Sequence, residues 1–229
     1  MSTALKIISS MATRQLLAEL AGLYRQTAAQ DLSVESVGGI DAAKRVRAGE
    51  VFDAVVLAAD SIDALIASGH IVAGNRVDLV RSGVAVAVRA GAPRPDIGSE
   101  DAVKRAVLAA RRLSYSTGPS GVQLAKLFER WGIAETLRDR LVQAPPGVPV
   151  GSLLAEGNVD LGFQQLSELM GLPGIDVIGP LPPAIQIVTT FSAGLAATST
   201  QAQAVRAMLA FMHSPATAQA KRDMGMEPA

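Results

Sequence analysis

Short apolar runs alternate with amphipathic stretches along the first third of the chain. Residues 4–9 and 54–58 are apolar runs typical of buried strands, and residues 32–37 alternate apolar and polar positions as a strand does. Between these runs, apolar residues recur at helical spacing, as in the stretch 13–24. The order strand, helix, strand, helix, strand, helix with short connections predicts a parallel sheet with helices on its faces.

The second half of the chain continues this alternation. The predicted strands are 83–89, 113–116, 159–163 and 175–178, with a long β-prone stretch at 185–197, and the predicted helices include 100–112, 134–142, 200–213 and 215–224. Asp41, and Asp60 or Ser61, are expected to cap the second and third helices. No Pro-rich linker divides the chain into consecutive domains, so a two-lobed chain would have to pass between its lobes more than once.

The composition excludes several classes of function. The 21 basic and 21 acidic residues cancel, which argues against binding to nucleic acid, and no apolar run reaches the roughly 18 residues of a membrane span. The chain has no cysteine and two distant histidines, so we expect no disulfide, no metal site and no metal cofactor. The stretch GPSG at 118–121 is not a nucleotide-binding loop, and no G-x-S-x-G motif is present.

The first residues, MSTALKIISSMA, lack the basic region and apolar core of a signal peptide. We therefore expect a cytoplasmic protein if residue 1 is the native start. If a signal peptide was removed, we expect a periplasmic one.

Small and polar residues follow several of the predicted strands, where a parallel sheet binds its ligands. Backbone N–H groups at helix starts there carry partial positive charge, which suits an anion. Each residue alone is more simply explained as a helix cap or a turn former, but five such turns together predict a donor-rich pocket. The residues are Ser9, Ser10, Gly39, Ser114, Tyr115, Ser116, Ser120, Gly121, Gly151, Ser152, Gln164 and Gln165.

The order of these segments resembles the type II periplasmic solute-binding proteins of the molybdate-type branch. The resemblance rests on LKIISSMATRQLLAELAGLY near the start, VDLVRSGVAVAVRAGAP at 77–93 and MLAFMHSPATAQAKRDMGMEPA at the end, and extends over nearly the whole chain. It implies an α/β, two-lobed fold in which each lobe is a mixed, mostly parallel sheet flanked by helices. One lobe would combine residues 1–82 with 192–229, the other would span 83–191, and the ligand cleft would lie between them.

The resemblance also assigns ligand-binding positions, because this family holds an oxyanion with hydroxyls and backbone N–H groups. The matching positions are a first-loop serine at Ser9 or Ser10, a small pair at Ser120 and Gly121, and a ligand-contacting loop at Val150, Gly151 and Ser152. Gly39 and Gln165 fall where the family usually has a serine and a tyrosine, so two hydroxyls are missing. The implied partners are a small anion and, if the protein is exported, an ABC permease.

A second resemblance, to proteins of this branch similar to aconitate isomerases, leaves the function open. It rests on LSYSTGPSGVQLAKLFERWGI at 113–133, VDLGFQQLSEL at 159–169 and VIGPLPPAIQIVTTFSAG at 177–194. A ligand with several carboxylates would suit the amides of Gln164, Gln165 and Gln186. Proton transfer without a cofactor would need an acid–base group, and the candidates are Ser114, Tyr115, Ser116 and Glu168. The alternatives are thus a binding protein for an oxyanion or carboxylate, an isomerase of an unsaturated carboxylate, and an effector-sensing domain.

Overall fold

The computed structural model describes residues 4–145 and 147–229. The chain divides into two compact units. Unit 1 contains the residues up to Ser82 together with Thr189–Ala229, and unit 2 contains Gly83–Val188. The chain therefore passes from one unit to the other twice. The boundary expected between residues 191 and 192 falls inside a strand, Val188–Ala196.

Strands and helices alternate through most of the described chain. The strands are β1 (Leu5–Ser10), β2 (Leu32–Val37), β3 (Ala54–Ala58), β4 (Ile71–Arg89), β5 (Leu113–Tyr115), β6 (Leu141–Gln143), β7 (Leu161–Gln165), β8 (Ile175–Pro180), β9 (Val188–Ala196) and β10 (Glu227–Pro228). The helices are α1 (Arg14–Ala28), α2 (Gly39–Arg47), α3 (Ala59–Ala67), α4 (Glu100–Ala109), α5 (Pro119–Arg130), α6 (Ala134–Leu137), α7 (Val150–Ala155), α8 (Leu166–Leu169), α9 (Ala202–His213) and α10 (Ala218–Asp223).

Unit 1 is a sheet with helices on both faces. Its strand order is β2-β1-β3-β9-β4, with β10 also paired to β4; β1, β2 and β3 are parallel, and β9 runs antiparallel to β3. Successive residues of β1 face opposite sides, so Ile7 packs into the core that contains Leu16 of α1, whereas Ile8 packs into the core that contains Val46 of α2. Burial on both faces explains why the strands read as apolar runs.

Unit 2 repeats this arrangement with different helices. The strands β5, β6 and β7 are parallel, and the second part of β4 pairs antiparallel with β7 and β8. Val86 of β4 lies in the core that contains Phe128 of α5, and Ala87 lies in the core that contains Leu154 of α7. In this unit, side chains on one side of the sheet therefore pack against α5, and side chains on the other side pack against α7.

Three local predictions differ from the structure in extent or position. The strand predicted at 83–89 is the end of a strand that begins at Ile71, and the helix predicted at 134–142 ends at Leu137, is followed by a 3-10 turn, and gives way to β6. The predicted caps are also wrong, because Gly38 and Ala58 occupy the N-cap positions of α2 and α3. Polar residues at 74–78 hid the strand, because they break its alternation.

No helix among the described residues is both long and apolar enough to cross a membrane.

Candidate functional site

In unit 1, the carboxyl end of β1 presents two serines with different surroundings. The hydroxyl of Ser9 is fully buried and lies 2.7 Å from the hydroxyl of Ser36 on β2. Ser10 is 7% exposed, and its hydroxyl has no hydrogen-bond partner among the described residues. A buried hydroxyl without a partner is costly, so a ligand that bonds to it would recover free energy. Of the two serines, Ser10 is therefore the one suited to contact a ligand.

Gly39 lies beside Ser10 at the start of α2. A Cβ atom added to Gly39 would stand 3.7 Å from Cβ of Ser10, an ordinary van der Waals contact. Ser10 ends β1 opposite Val37, the last residue of the parallel strand β2, and Gly39 follows Val37 by two residues. The absence of a side chain at Gly39 leaves space beside the Ser10 hydroxyl.

In unit 2, the carboxyl end of β5 leads directly into the start of α5. Ser120 and Gly121 are buried in the first turn of that helix, whereas Ser116 is partly exposed. A Cβ atom at Gly121 would stand 1.8 Å from the carbonyl oxygen of Ser116 and 2.9 Å from Cδ2 of Tyr115. Glycine at this position therefore allows the first turn of α5 to touch the end of β5.

Tyr115 packs under α5 rather than standing free. Its ring makes an edge-on contact with Phe128 at 6.5 Å between centroids, and burial raises the pKa of its hydroxyl. A phenol with a raised pKa keeps its proton at neutral pH, so Tyr115 is better suited to donate a hydrogen bond than to act as a base.

Ser114 faces the opposite side of the sheet, towards α7. It pairs with Gly162 of β7, whose neighbours Val150 and Leu154 belong to that helix. Ser114 is fully buried, and its hydroxyl has no partner in the part of the chain that the structure describes. Ser116 lies beyond the end of β5, so the two serines are not equivalent positions on one exposed strand face.

Gln164, Glu168 and the first residue of α7 form a hydrogen-bonded chain. The backbone N–H of Val150 donates to Oε1 of Gln164 at 2.9 Å, and Nε2 of Gln164 donates to Oε1 of Glu168 at 2.8 Å. The backbone N–H of Val150, expected to contact a ligand, is thus engaged by Gln164. The amide of Gln164, predicted to bind a ligand, thus makes one hydrogen bond through its oxygen and one through its nitrogen, and the latter positions Glu168.

The carboxyl of Glu168 has an unusual pKa. Burial raises the pKa of this carboxyl to about 7, and the hydrogen bond from Gln164 opposes that rise. Half of the molecules would carry a proton on this carboxyl near neutral pH, which is the range in which an acid–base catalyst is most effective. The apolar surroundings of Glu168, with no Lys or Arg between 141 and 205, were the available sequence signal for this shift.

The remaining predicted ligand-binding residues lie at the end of β7, in the first turn of α7 and in the loop before β9. Gln165 is 3% exposed and ends β7 opposite Val84. Gly151 and Ser152 lie in the first turn of α7, with the backbone N–H of Ser152 donating to the carbonyl of Pro149. The amide of Gln186, expected to contact a ligand, bonds the backbone of β4 and of its own loop. The contacts are Oε1 with the N–H groups of Val84 and Ile187, and Nε2 with the carbonyl of Leu181.

Within residues 4–145 and 147–229, no three His, Cys, Asp or Glu side chains are grouped to hold a metal ion.

A model of the bacterial extracellular solute-binding protein family matches residues 5–227. The chain belongs to this family. Among curated relatives of this family member, an aconitate isomerase from a Pseudomonas species is 36% identical over 99% of this chain and 88% of the relative. The similarity therefore extends through both units.

Solved structures show the same fold for this solute-binding family member. The periplasmic molybdate-binding protein of Azotobacter vinelandii superposes with a TM-score of 0.81 at 18% identity, covering 97% of this chain and 98% of that one. The sulfate-binding protein SubI of Mycobacterium tuberculosis superposes with a TM-score of 0.80 at 14% identity, covering 100% and 88%. The predicted solute-binding fold is confirmed, and the solved structures that share it include a molybdate-binding and a sulfate-binding protein.

Proposed function

We propose that this protein binds a small carboxylate anion. The observation that carries the proposal is the buried hydroxyl of Ser10, which lies at a strand end and has no partner among the described residues. In unit 2, the first turn of α5 offers the backbone N–H of Ser120 to the same class of anion, whereas the N–H of Gly121 donates to the carbonyl of Gly118. A carboxylate is favoured over molybdate or sulfate because Gly39 and Gln165 lack the hydroxyls that a compact oxyanion needs on every side.

The same proposal extends to where the protein works. Its family is described as extracellular, so we infer a periplasmic solute-binding protein that delivers its anion to an ABC permease. Detection of the native protein in a periplasmic extract would support this inference, and its recovery only with the cytoplasm would contradict it.

A ligand screen tests the binding proposal. We expect citrate or aconitate to raise the melting temperature, and molybdate and sulfate to raise it less. A ligand at 100 times its Kd adds about 2.7 kcal/mol, which corresponds to roughly 5–10 °C for a chain of this size. Ser10→Ala should weaken the response to the carboxylates. The matched control is Ser192→Ala, because the hydroxyl of Ser192 already donates to Asp78, and this variant should respond as the wild type does. Micromolar binding of molybdate with no response to any carboxylate would refute the proposal.

A second candidate function is isomerisation of an unsaturated tricarboxylate. Glu168, with a pKa of about 7, is the specific observation in its favour, together with the similarity to an aconitate isomerase. The ionised carboxyl would take a proton from the CH₂ group beside the double bond, and the electron pair would delocalise over the neighbouring carbons. In this allylic anion, rotation about a carbon–carbon bond would change the geometry. Return of the proton to one end of the allylic system would then give the other isomer of aconitate without any cofactor.

Incubation in deuterated water tests this second candidate. We expect the protein to interconvert cis- and trans-aconitate and to leave deuterium at the product carbon, provided that Glu168 exchanges its proton with solvent between removal and return. NMR spectroscopy reports both changes in one sample. Binding of aconitate without interconversion over many hours would show that the protein holds the anion and does not convert it.

A further inference from the structure

The first turn of α2 offers backbone donors beside the buried hydroxyl of Ser10. No side chain caps this helix, and its first N–H groups, which include that of Ile40, have no acceptor within the helix. The hydroxyl of Ser10 has no partner among the described residues, and Cβ of Ser10 lies 3.7 Å from the position that a Cβ of Gly39 would take. An anion that bonds both to this hydroxyl and to the helix start therefore lies at the first turn of α2.

The side chain of Ile40 stands next to these donors. It is 51% exposed and directly follows Gly39, whereas the buried residues of α2 are Ala42, Ala43 and Val46. The Cα–Cβ bonds of a helix lean towards its N-terminus, which is also the end towards which the first N–H groups point. An anion that accepts the N–H of Ile40 at the usual distance of about 2.9 Å therefore lies within reach of the carbon atoms of that side chain.

The two segments that form this turn carry no positive charge. Residues 7–13 and 36–43 contain no Lys or Arg, and Asp41 is their only charged residue. A compact inorganic dianion would lose its hydration here without a cation to replace it, and it would approach the carboxylate of Asp41. An organic acid offers a carboxylate to the donors and carbon atoms to Ile40, so apolar contact adds to its binding.

Unit 2 has an exposed apolar side chain in a similar position. Val122 is 51% exposed in the first turn of α5, where it directly follows Gly121. Val51 is 62% exposed but precedes β3, which is parallel to β1, so it lies at the opposite edge of the sheet from Ser10. Single exposed apolar residues are common on protein surfaces. In each unit, however, one of them directly follows a glycine in the first turn of a helix that is predicted to bind the anion.

We propose that Ile40 is a specificity-determining residue that contacts the carbon skeleton of the bound organic acid. The inference rests on the proposed carboxylate site, and it narrows the ligand to acids that carry CH or CH₂ groups beside the bound carboxylate. The carboxylate accepts hydrogen bonds from the Ser10 hydroxyl and from the start of α2. The neighbouring carbon atoms pack against Ile40, which removes apolar surface of both partners from water.

Calorimetry with tricarballylate, a saturated tricarboxylate without a double bond to isomerise, tests this contact. Ile40→Ala should raise Kd about 4–15-fold, the effect of one or two methylene groups losing their apolar contact. The heat-capacity change of binding should also become less negative, because less apolar surface is buried. Ile40→Leu should retain most of the wild-type affinity. Val51→Ala, which shortens an exposed apolar side chain at the opposite edge of the sheet, should bind as the wild type does.

Failure of the wild type to bind any carboxylate would refute the proposed function and this inference with it. Wild-type affinity in Ile40→Ala, together with weakened binding by Ser10→Ala, would overturn the inference and leave the carboxylate site in place. A rise in Kd with an unchanged heat-capacity change, or an equal rise in Val51→Ala, would likewise overturn it. Urea denaturation of each variant would show that the truncated proteins are folded, as the exposure of both side chains leads us to expect.

Discussion

Replacing Glu168 with glutamine should reduce aconitate isomerisation by about 10²–10⁴-fold, the usual contribution of a positioned acid–base group. Glutamine keeps the shape of the side chain and can accept the hydrogen bond from Gln164 through its oxygen, but it cannot take up or release a proton. Initial rates followed by NMR spectroscopy would measure the loss. The wild-type rate should rise with pH through about 7, as the carboxyl becomes the ionised base.

Glu156→Gln is the control for this prediction. Glu156 lies on the surface after α7, where its carboxylate accepts a hydrogen bond from Asn158, so its replacement should leave turnover unchanged. Full activity of Glu168→Gln would mean that another group carries the proton. Suspicion would then move to Ser114, Tyr115 or Ser116, and the corresponding Ser→Ala and Tyr→Phe variants would identify it.

Gly121→Ala should abolish anion binding and lower stability by about 1–3 kcal/mol, the usual cost of forcing an extra methyl group into a packed site. The added Cβ would stand 1.8 Å from the backbone oxygen of Ser116, and a backbone atom cannot turn aside as a flexible side chain can. The first turn of α5 would have to leave the end of β5. Urea denaturation and calorimetry with citrate would measure the two effects.

Gly118→Ala is the matched control for Gly121→Ala. Its added Cβ would stand 3.8 Å from the hydroxyl of Ser116, an ordinary contact, and its φ of −74° is accessible to alanine. We expect native-like stability and binding. Equal losses of binding and stability in the two variants would show that the contact between a Cβ atom at position 121 and Ser116 is not the cause. Normal binding by Gly121→Ala would remove the start of α5 from the proposed site.

The architecture was predictable because strands that are buried on both faces appear in the sequence as continuous apolar runs. Runs such as Ala54–Ala58 are wholly apolar, and helices between them fix a parallel sheet. The extent of β4 was not predictable, since Gly74, Asn75, Arg76 and Asp78 hide its first half. Their strand geometry comes from pairing with other parts of the chain, which no local pattern records.

The site was only partly predictable, for a related reason. The strand-end positions of Ser10 and Gln164 follow from the sequence, but the partners of their side chains do not. Whether Ser9 or Ser10 has the available hydroxyl depends on Ser36, which is 27 positions away from Ser9. The role of Gln164 likewise depends on its bond to Val150.

The discontinuous composition of unit 1 has a consequence for biosynthesis. Its central core includes Phe191, Met208 and Met226, so the ribosome must release almost the entire chain before that core can close. Unit 2 is continuous, and all of its residues have been synthesised well before then. The apolar strands β1 and β3 therefore lack part of their core until the end of the chain has been made, and apolar surface exposed in this way favours aggregation.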